Sequence, residues 1–242
     1  MTTPLSVSVP ATPSSSMVTW CRQVWTIARK DLMIELRSGE VVVTGGFFAV
    51  LVTVLSSLAY YMGPQTRNQV AAGVIWLATT FAAVLSLSRT WQREREEGTL
   101  DALVVSPLSG SALYFGKALG ILIFLYAIEA VVVPLSALLF AIDLPTHWVG
   151  LLAISALAVP GVAASGTLFG VMTVRTRARD LVLSICLFPL LSPTLMAATV
   201  ATRELLNGVP LTELTDYLQI MGLFDLVFIL GGAGLFPSLA EQ

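Results

Sequence analysis

The sequence predicts an all-α membrane protein with six transmembrane helices and both termini in the cytoplasm. Three observations carry that fold class. Hydrophobic residues make up 56% of the 242-residue chain and charged ones only 12%, with a mean hydropathy of +0.84. A soluble domain carries about 25% charged residues, so this chain lacks the polar surface to face water on all sides. Six apolar runs, 41–62, 70–88, 119–142, 149–172, 181–200 and 218–237, approach the roughly 20 residues that a helix needs to cross a bilayer. Finally, Lys and Arg are distributed unevenly over the connections. Eleven of the 13 fall on one side, in the segments before the first run, between the second and third, and between the fourth and fifth; only Arg67 and Arg203 fall on the other. The positive-inside rule makes the rich side cytoplasmic.

The runs divide the chain in order. Residues 1–17 are rich in Ser, Thr and Pro and read as a disordered tail. They lack the basic start and cleavable apolar stretch of a signal peptide. Residues 18–40 follow as an amphipathic helix. Cys21, Val24, Trp25, Ala28, Leu32 and Leu36 share one helical face, and Arg22, Arg29, Lys30 and Arg37 share the other. Such a basic helix with a Trp at its edge suits the membrane interface; it serves as a simple anchor or also touches a partner subunit. The six-span domain occupies 41–237, and 238–242 form a short tail. Gly63-Pro64 closes the first span, and Asp143-Leu-Pro145 marks a connection after the third so short that spans three and four must be antiparallel neighbours.

Several function classes are excluded. A net charge of -2 gives no basic face for nucleic acid. Cys21 and Cys186 show no metal-ligand spacing, and a disulfide between them is the weaker reading. One histidine cannot build a His-rich metal site. No Ser–His–carboxylate set, HExxH or GxSxG frame occurs, so the chain is not catalytic alone.

The polar stretch 89–108 stands out. Gln92 to Glu97 is polar or charged on all sides, Gly98 breaks it, and Thr99 offers a hydroxyl to cap a new helix. Leu100, Leu103 and Val104 then make an i, i+3, i+4 apolar stripe. Ser106-Pro107 ends it, because the residue before proline is pushed out of the α region. A short amphipathic helix on the cytoplasmic side results. It either lies on the lipid surface or seats in a groove of a separate ATPase and carries its motion to the spans.

Just beyond, Gly110 with Gly116-Lys117 imitates a phosphate-binding loop. Five residues separate the glycines where four are needed, and Ala118 stands where Ser or Thr must hold magnesium. Any ATP-driven work therefore belongs to another chain.

Two carboxylates lie inside apolar runs, Glu129 in the third and Asp225 in the sixth. Intramembrane carboxylates are costly and usually face a cavity or a partner. Both are candidates for a substrate path or proton relay; the alternative is a neutral acid hydrogen-bonded to a neighbouring helix. Pro134, five residues after Glu129, loosens the backbone there. His147 beside Trp148, in the outer loop, has the chemistry to ligate haem iron, but an aromatic belt residue and a solvated His explain the pair better. Gly166-x-x-x-Gly170, with Gly161 and Ser165, marks a close helix contact, within the chain or across a dimer.

These residues together resemble a known family. Ala72-Gly-Val-Ile-Trp-Leu-Ala, the stretch Glu97-Gly-Thr-Leu-Asp-Ala-Leu with Ser106-Pro-Leu, and Lys117 opening span three are similar to the haem exporter B (CcmB) family. Lys30-Asp-Leu-Met-Ile-Glu-Leu-Arg37 and Val182-Leu-Ser-Ile-Cys-Leu-Phe-Pro-Leu-Leu-Ser-Pro193 extend the likeness over about 22–237. The Glu-Gly-Thr-Leu portion is shared with the wider ABC-2 permeases.

That resemblance implies a permease of the bacterial inner membrane, working in cytochrome c maturation. It implies a cytoplasmic CcmA-like ATPase that binds the ATP, CcmC-like and CcmD-like membrane subunits, a CcmE-like haem chaperone, and haem as the substrate handled at the periplasmic side. Glu97, Gly98, Thr99, Leu100 and Leu103 become the ATPase-coupling residues by motif match. The five Trp residues are scattered, in keeping with a family whose tryptophan-rich haem motif belongs to the CcmC partner. A homodimer, a permease for another lipid, drug or glycan, and a non-transporting scaffold remain as alternatives.

Overall fold

A computed structural model describes residues 17–59, 64–96, 108–173 and 179–240, and these are almost wholly helical. In chain order they form α1 (Met17–Ser38), α2 (Glu40–Ala59), α3 (Pro64–Glu96), α4 (Gly110–Leu139), α5 (Leu144–Thr173), α6 (Arg179–Leu206), a 3₁₀ turn (Leu211–Glu213) and α7 (Thr215–Ala240). Helices α2 to α7 supply six stretches long and apolar enough to cross a membrane, as the hydropathy predicts. The segment 97–107, with Glu97, Gly98, Thr99, Leu100 and Leu103, lies outside the described residues.

Helices run past the apolar limits read from sequence wherever polar ends find partners. With 33 residues, α3 is about 50 Å long at 1.5 Å per residue, well beyond the roughly 30 Å hydrocarbon core. It therefore carries Arg89, Arg93 and Glu94 out past the lipid. Between α1 and α2 the chain turns at Gly39, whose φ of +63° suits glycine. The turn is closed by the Glu35 carboxylate, which accepts from the Val42 backbone N–H at 2.8 Å. Glu35 thus caps α2 from the preceding helix, satisfying one of the orphan N–H groups at its start. Arg93 then ties the same turn to α3, donating to Ser38 Oγ and Glu40 Oε2, each at 3.1 Å.

Helices α3 and α5 form the centre of the bundle, and α2 and α7 its periphery: 72% and 67% of the first pair's apolar windows are buried, against 22% and 11%. Close approach at the centre depends on the glycines of α5. A Cβ on Gly166 would meet Leu87 Cδ1 at 2.4 Å, and one on Gly170 would meet the Trp91 ring at 1.9 Å. The Gly166-x-x-x-Gly170 motif therefore seats α3 of the same chain rather than a second copy. Trp76 on α3 donates to Thr202 Oγ1 on α6 at 2.9 Å, a buried bond that ties α6 to the central helix.

The expected loop position of His147 is corrected. Helix α5 begins at Leu144, so His147 and Trp148 lie in its first turn. Asp143 is the reason: its side chain accepts from the Thr146 hydroxyl, and its carbonyl lies 2.8 Å from His147 Nδ1. Polar groups that would be solvated in a loop instead close the helix start.

Gly170→Ala forces a methyl into the buried Trp91 ring and should cost about 1–3 kcal/mol through overpacking. Gly222→Ala, which meets nothing within 4 Å, should be near neutral. Thermal unfolding of the two variants in detergent, followed by Trp fluorescence, checks the contrast.

Candidate functional site

Four ionisable side chains from three helices meet where α1, α3 and α4 converge. Lys117 Nζ lies 2.9 Å from Asp31 Oδ2 and bonds Glu94 Oε1; Lys30 Nζ lies 3.1 Å from Asp31 and 3.2 Å from Glu94. Two ammonium groups face two carboxylates, so the quartet is neutral as a set. Lys117 is only 1% exposed, and burying a charge is costly unless it is paired and hydrogen-bonded. Burial works against the Lys30 ammonium, but Asp31 and Glu94 beside it outweigh that and hold its pKa above the ordinary value.

Small residues make this meeting possible. A Cβ on Gly116 would meet Ile27 Cβ at 2.6 Å, and one on Gly120 would meet Asp31 Cβ at 3.6 Å. Gly116 on α4 thus lets α1 cross close enough for Asp31 to reach Lys117, and at Gly120, one turn on, a Cβ would be in ordinary contact with Asp31. The imitation of a phosphate loop at Gly116-Lys117 is in fact helix interior, and its glycine serves this crossing. Helix α4 is capped by Ser109, whose hydroxyl accepts from the Ala112 N–H at 3.3 Å.

Helix α1 accordingly presents Ile27, Ala28 and Glu35 to the bundle, all buried. That face is rotated from the apolar face read in the sequence. Ala28 is common to both, whereas Trp25 and Leu36 are 56% and 86% exposed. The packing face is partly ionic, which a hydrophobic periodicity cannot detect.

The second constellation lies within the spans. Glu129 on α4 is 5% exposed and Asp225 on α7 is 9% exposed. Ser155 on α5 shares a cavity wall with Glu129, and Asp225 lies against Gly161 of the same helix. A Cβ on Gly161 would fall 2.3 Å from Asp225 Oδ1, so glycine is needed for the aspartate to fit. Tyr126 stands one turn before Glu129 on α4, and its hydroxyl donates to the Ser155 carbonyl at 3.5 Å. The two acids singled out by sequence thus both pack against α5, Glu129 beside Ser155 and Asp225 at Gly161 six residues on. Glu129 Oε1 and Asp225 Oδ1 have no hydrogen-bond partner among the described residues.

A cavity of about 420 Å³ opens beside Glu129, walled by Tyr126, Val133, Pro134, Leu151 and Ser155, with Trp148 toward the start of α5. Pro134 lacks the N–H that would bond the carbonyl of Ala130, and both residues line the cavity. His147 is not among its walls.

Another apolar groove, of about 520 Å³, separates α3 from α6 and is lined by Gly73, Trp76, Phe188 and Ser192 among others. These residues come from the two segments, 72–78 and 182–193, that most narrowly carry the family resemblance, and the fold brings them face to face.

Comparison with known proteins agrees. The family described as "CcmB protein" matches residues 22–232. The chain belongs to the CcmB family. Among curated relatives, a "Heme exporter protein B" of Paracoccus denitrificans is 30% identical over 192 residues, covering 76% of this chain and 85% of that protein. Its namesake in Rhodobacter capsulatus is 29% identical over 185 residues, covering 74% and 82%. The Pseudomonas aeruginosa protein of the same name is 27% identical, covering 76% and 82%.

Within this CcmB chain the sequence signals for Glu129 and Asp225 were plain, whereas the ion quartet was missed. Lys30, Asp31 and Glu94 sit among other charges and look solvated. Lys117 was the available clue, a lone cation at the start of an apolar run with small residues at i–1 and i+3.

Lys117→Met should destabilise the protein by about 3–5 kcal/mol, because it removes the buried ammonium that pairs with both Asp31 and Glu94. Adding Glu94→Gln should recover a substantial part, since it removes the excess negative charge. Thermal midpoints of the single and double variants in detergent measure this.

Proposed function

We propose that this chain is the membrane permease subunit of an ATP-driven complex for cytochrome c maturation. It transmits ATP hydrolysis on a separate cytoplasmic subunit to the export of haem, or to release of haem-loaded chaperone, at the periplasmic side of the bacterial inner membrane. Family membership over 22–232, and relatives named heme exporter protein B, support the substrate class. The lysine and arginine bias supports the orientation.

The observation that carries the coupling role is the position of the ion quartet. Glu94 lies three residues before the segment 97–107, and Lys117 ten residues after it. Both stems of that segment are therefore pinned to one another and to α1 by buried ion pairs. A partner pressing on the segment acts on a braced mount rather than a loose loop. Leu100 and Leu103 supply the contact in this reading, Glu97 and Thr99 its polar frame, and Gly98 the break that sets it apart. CcmC-like, CcmD-like and CcmE-like partners, and pairing with a second copy, follow from the family likeness.

Replacing both Leu100 and Leu103 by Asp should weaken ATPase association on the order of a hundredfold, from about 1.5 kcal/mol for each leucine removed from an apolar contact. Membrane insertion should be unchanged. Co-purification of the cognate ATPase with the tagged chain is the measurement, and undiminished recovery overturns the docking role.

A further inference from the structure

The neighbourhood of Glu129 and Asp225 is rich in acceptors and has no counter-charge among the described residues. No Lys or Arg occurs between residues 118 and 174, nor after Arg203. Span four, the remainder of span three and all of span six are therefore without a cation. The other helices around the site add no titratable group at this depth. None occurs in 41–59 or 69–88, and 185–202 holds only Cys186, which is exposed. What shares the cavity with Glu129 is Ser155 from α5 and Tyr126 from its own helix, and Asp225 from α7 packs against Gly161 further along α5. An ionised carboxylate buried without a partner is too costly to persist in such surroundings. Each acid must acquire a positive charge or a proton from outside.

The cavity decides what can arrive. Its walls beyond Glu129 are mainly Val133, Pro134, Leu151 and Leu152, which cannot replace the hydration shell of a metal ion. Among the described residues no group of three or more His, Cys, Asp or Glu is placed to hold one. A proton needs only the carboxylate itself.

We propose that Glu129 and Asp225 form an intramembrane proton-binding site against α5, loaded through the cavity between α4 and α5 from the Trp148 end of the bundle. Glu129 lines the cavity and takes the proton first, forming the O–H bond that its partnerless oxygen lacks. Asp225, against Gly161 further along α5, is the inner acid, and its charge acts on Glu129 through the low-dielectric interior. This goes beyond the proposed transport function and is independent of it: the site would take a proton whatever the cargo.

The test uses the full chain in lipid nanodiscs, treated with an apolar carbodiimide that modifies protonated carboxyls, with adducts mapped by mass spectrometry. Glu129 should be labelled at mildly acidic pH. Above its midpoint, labelling should fall about tenfold per pH unit, following the protonated fraction. Asp225→Asn removes a neighbouring acid and should move that midpoint to lower pH, while Glu129→Gln abolishes the adduct in a protein of unchanged thermal stability. Leu152→Trp, narrowing the cavity, should slow labelling without moving the midpoint. Labelling independent of pH, or the same midpoint in the Asp225→Asn protein, overturns the proposal. So does an unlabelled Glu129 in folded protein that labels once denatured. Retention of an amine-bearing lipid, seen by native mass spectrometry and lost in Glu129→Gln, would instead identify an ammonium occupant and overturn it equally.

Discussion

The buried pairing of Lys117 with Asp31 and Glu94 is the constraint on which the rest of this bundle rests. An ammonium 1% exposed is tolerable only if its partners are held against it, and those partners come from two other helices. The requirement fixes where α1 crosses α4 and where α3 ends relative to both. Gly116 follows from it, since any side chain there would push Ile27 and the Val24 backbone of α1 away. The Glu40 bridges to Arg89 and Arg93, at 3.3 and 3.1 Å, are exposed and weak by comparison. They set the angle of the α1–α2 turn rather than hold the bundle together.

The two ends of α4 manage charge in opposite ways. At the Lys117 end, carboxylates and ammonium groups are matched within one buried set. Near Glu129 there are carboxylates with no cation in their own span beyond Lys117 or in the adjacent span four. The first arrangement suits a rigid joint, because separating the pairs exposes unpaired buried charge. The second suits a site with an exchangeable occupant, because its carboxyl oxygens are left without partners.

Sequence displayed this division unevenly. Six spans and their order were legible because apolar runs of bilayer length have no other common explanation. Glu129 and Asp225 were legible because a carboxylate inside such a run is conspicuous. Helix ends were not: α3 and α5 extend past their apolar limits because Glu40, Glu94 and Asp143 find partners, and partners are a matter of three dimensions. The quartet was hidden for the same reason. Asp31 and Glu94 differ from the solvated charges beside them only in what faces them, and α1 buries an ionic face that periodicity cannot show. The glycines of α5 announced a close contact, but only the fold identifies the partner as α3 of the same chain.

Helix α4 is the element common to every feature of consequence. It begins one residue after Ser109, just past the segment expected to meet an ATPase, carries Lys117 into the ion quartet, and presents Tyr126 and Glu129 to the cavity. Lys117 and Glu129 are about 18 Å apart along its axis at 1.5 Å per residue. Five residues beyond Glu129, Pro134 interrupts the hydrogen-bond ladder, so the stiff portion of α4 runs from the ion quartet to the cavity and ends there. The braced end at Lys117 and the cavity wall at Glu129 thus lie on one uninterrupted stretch of helix, and its ladder is first broken just past the acid.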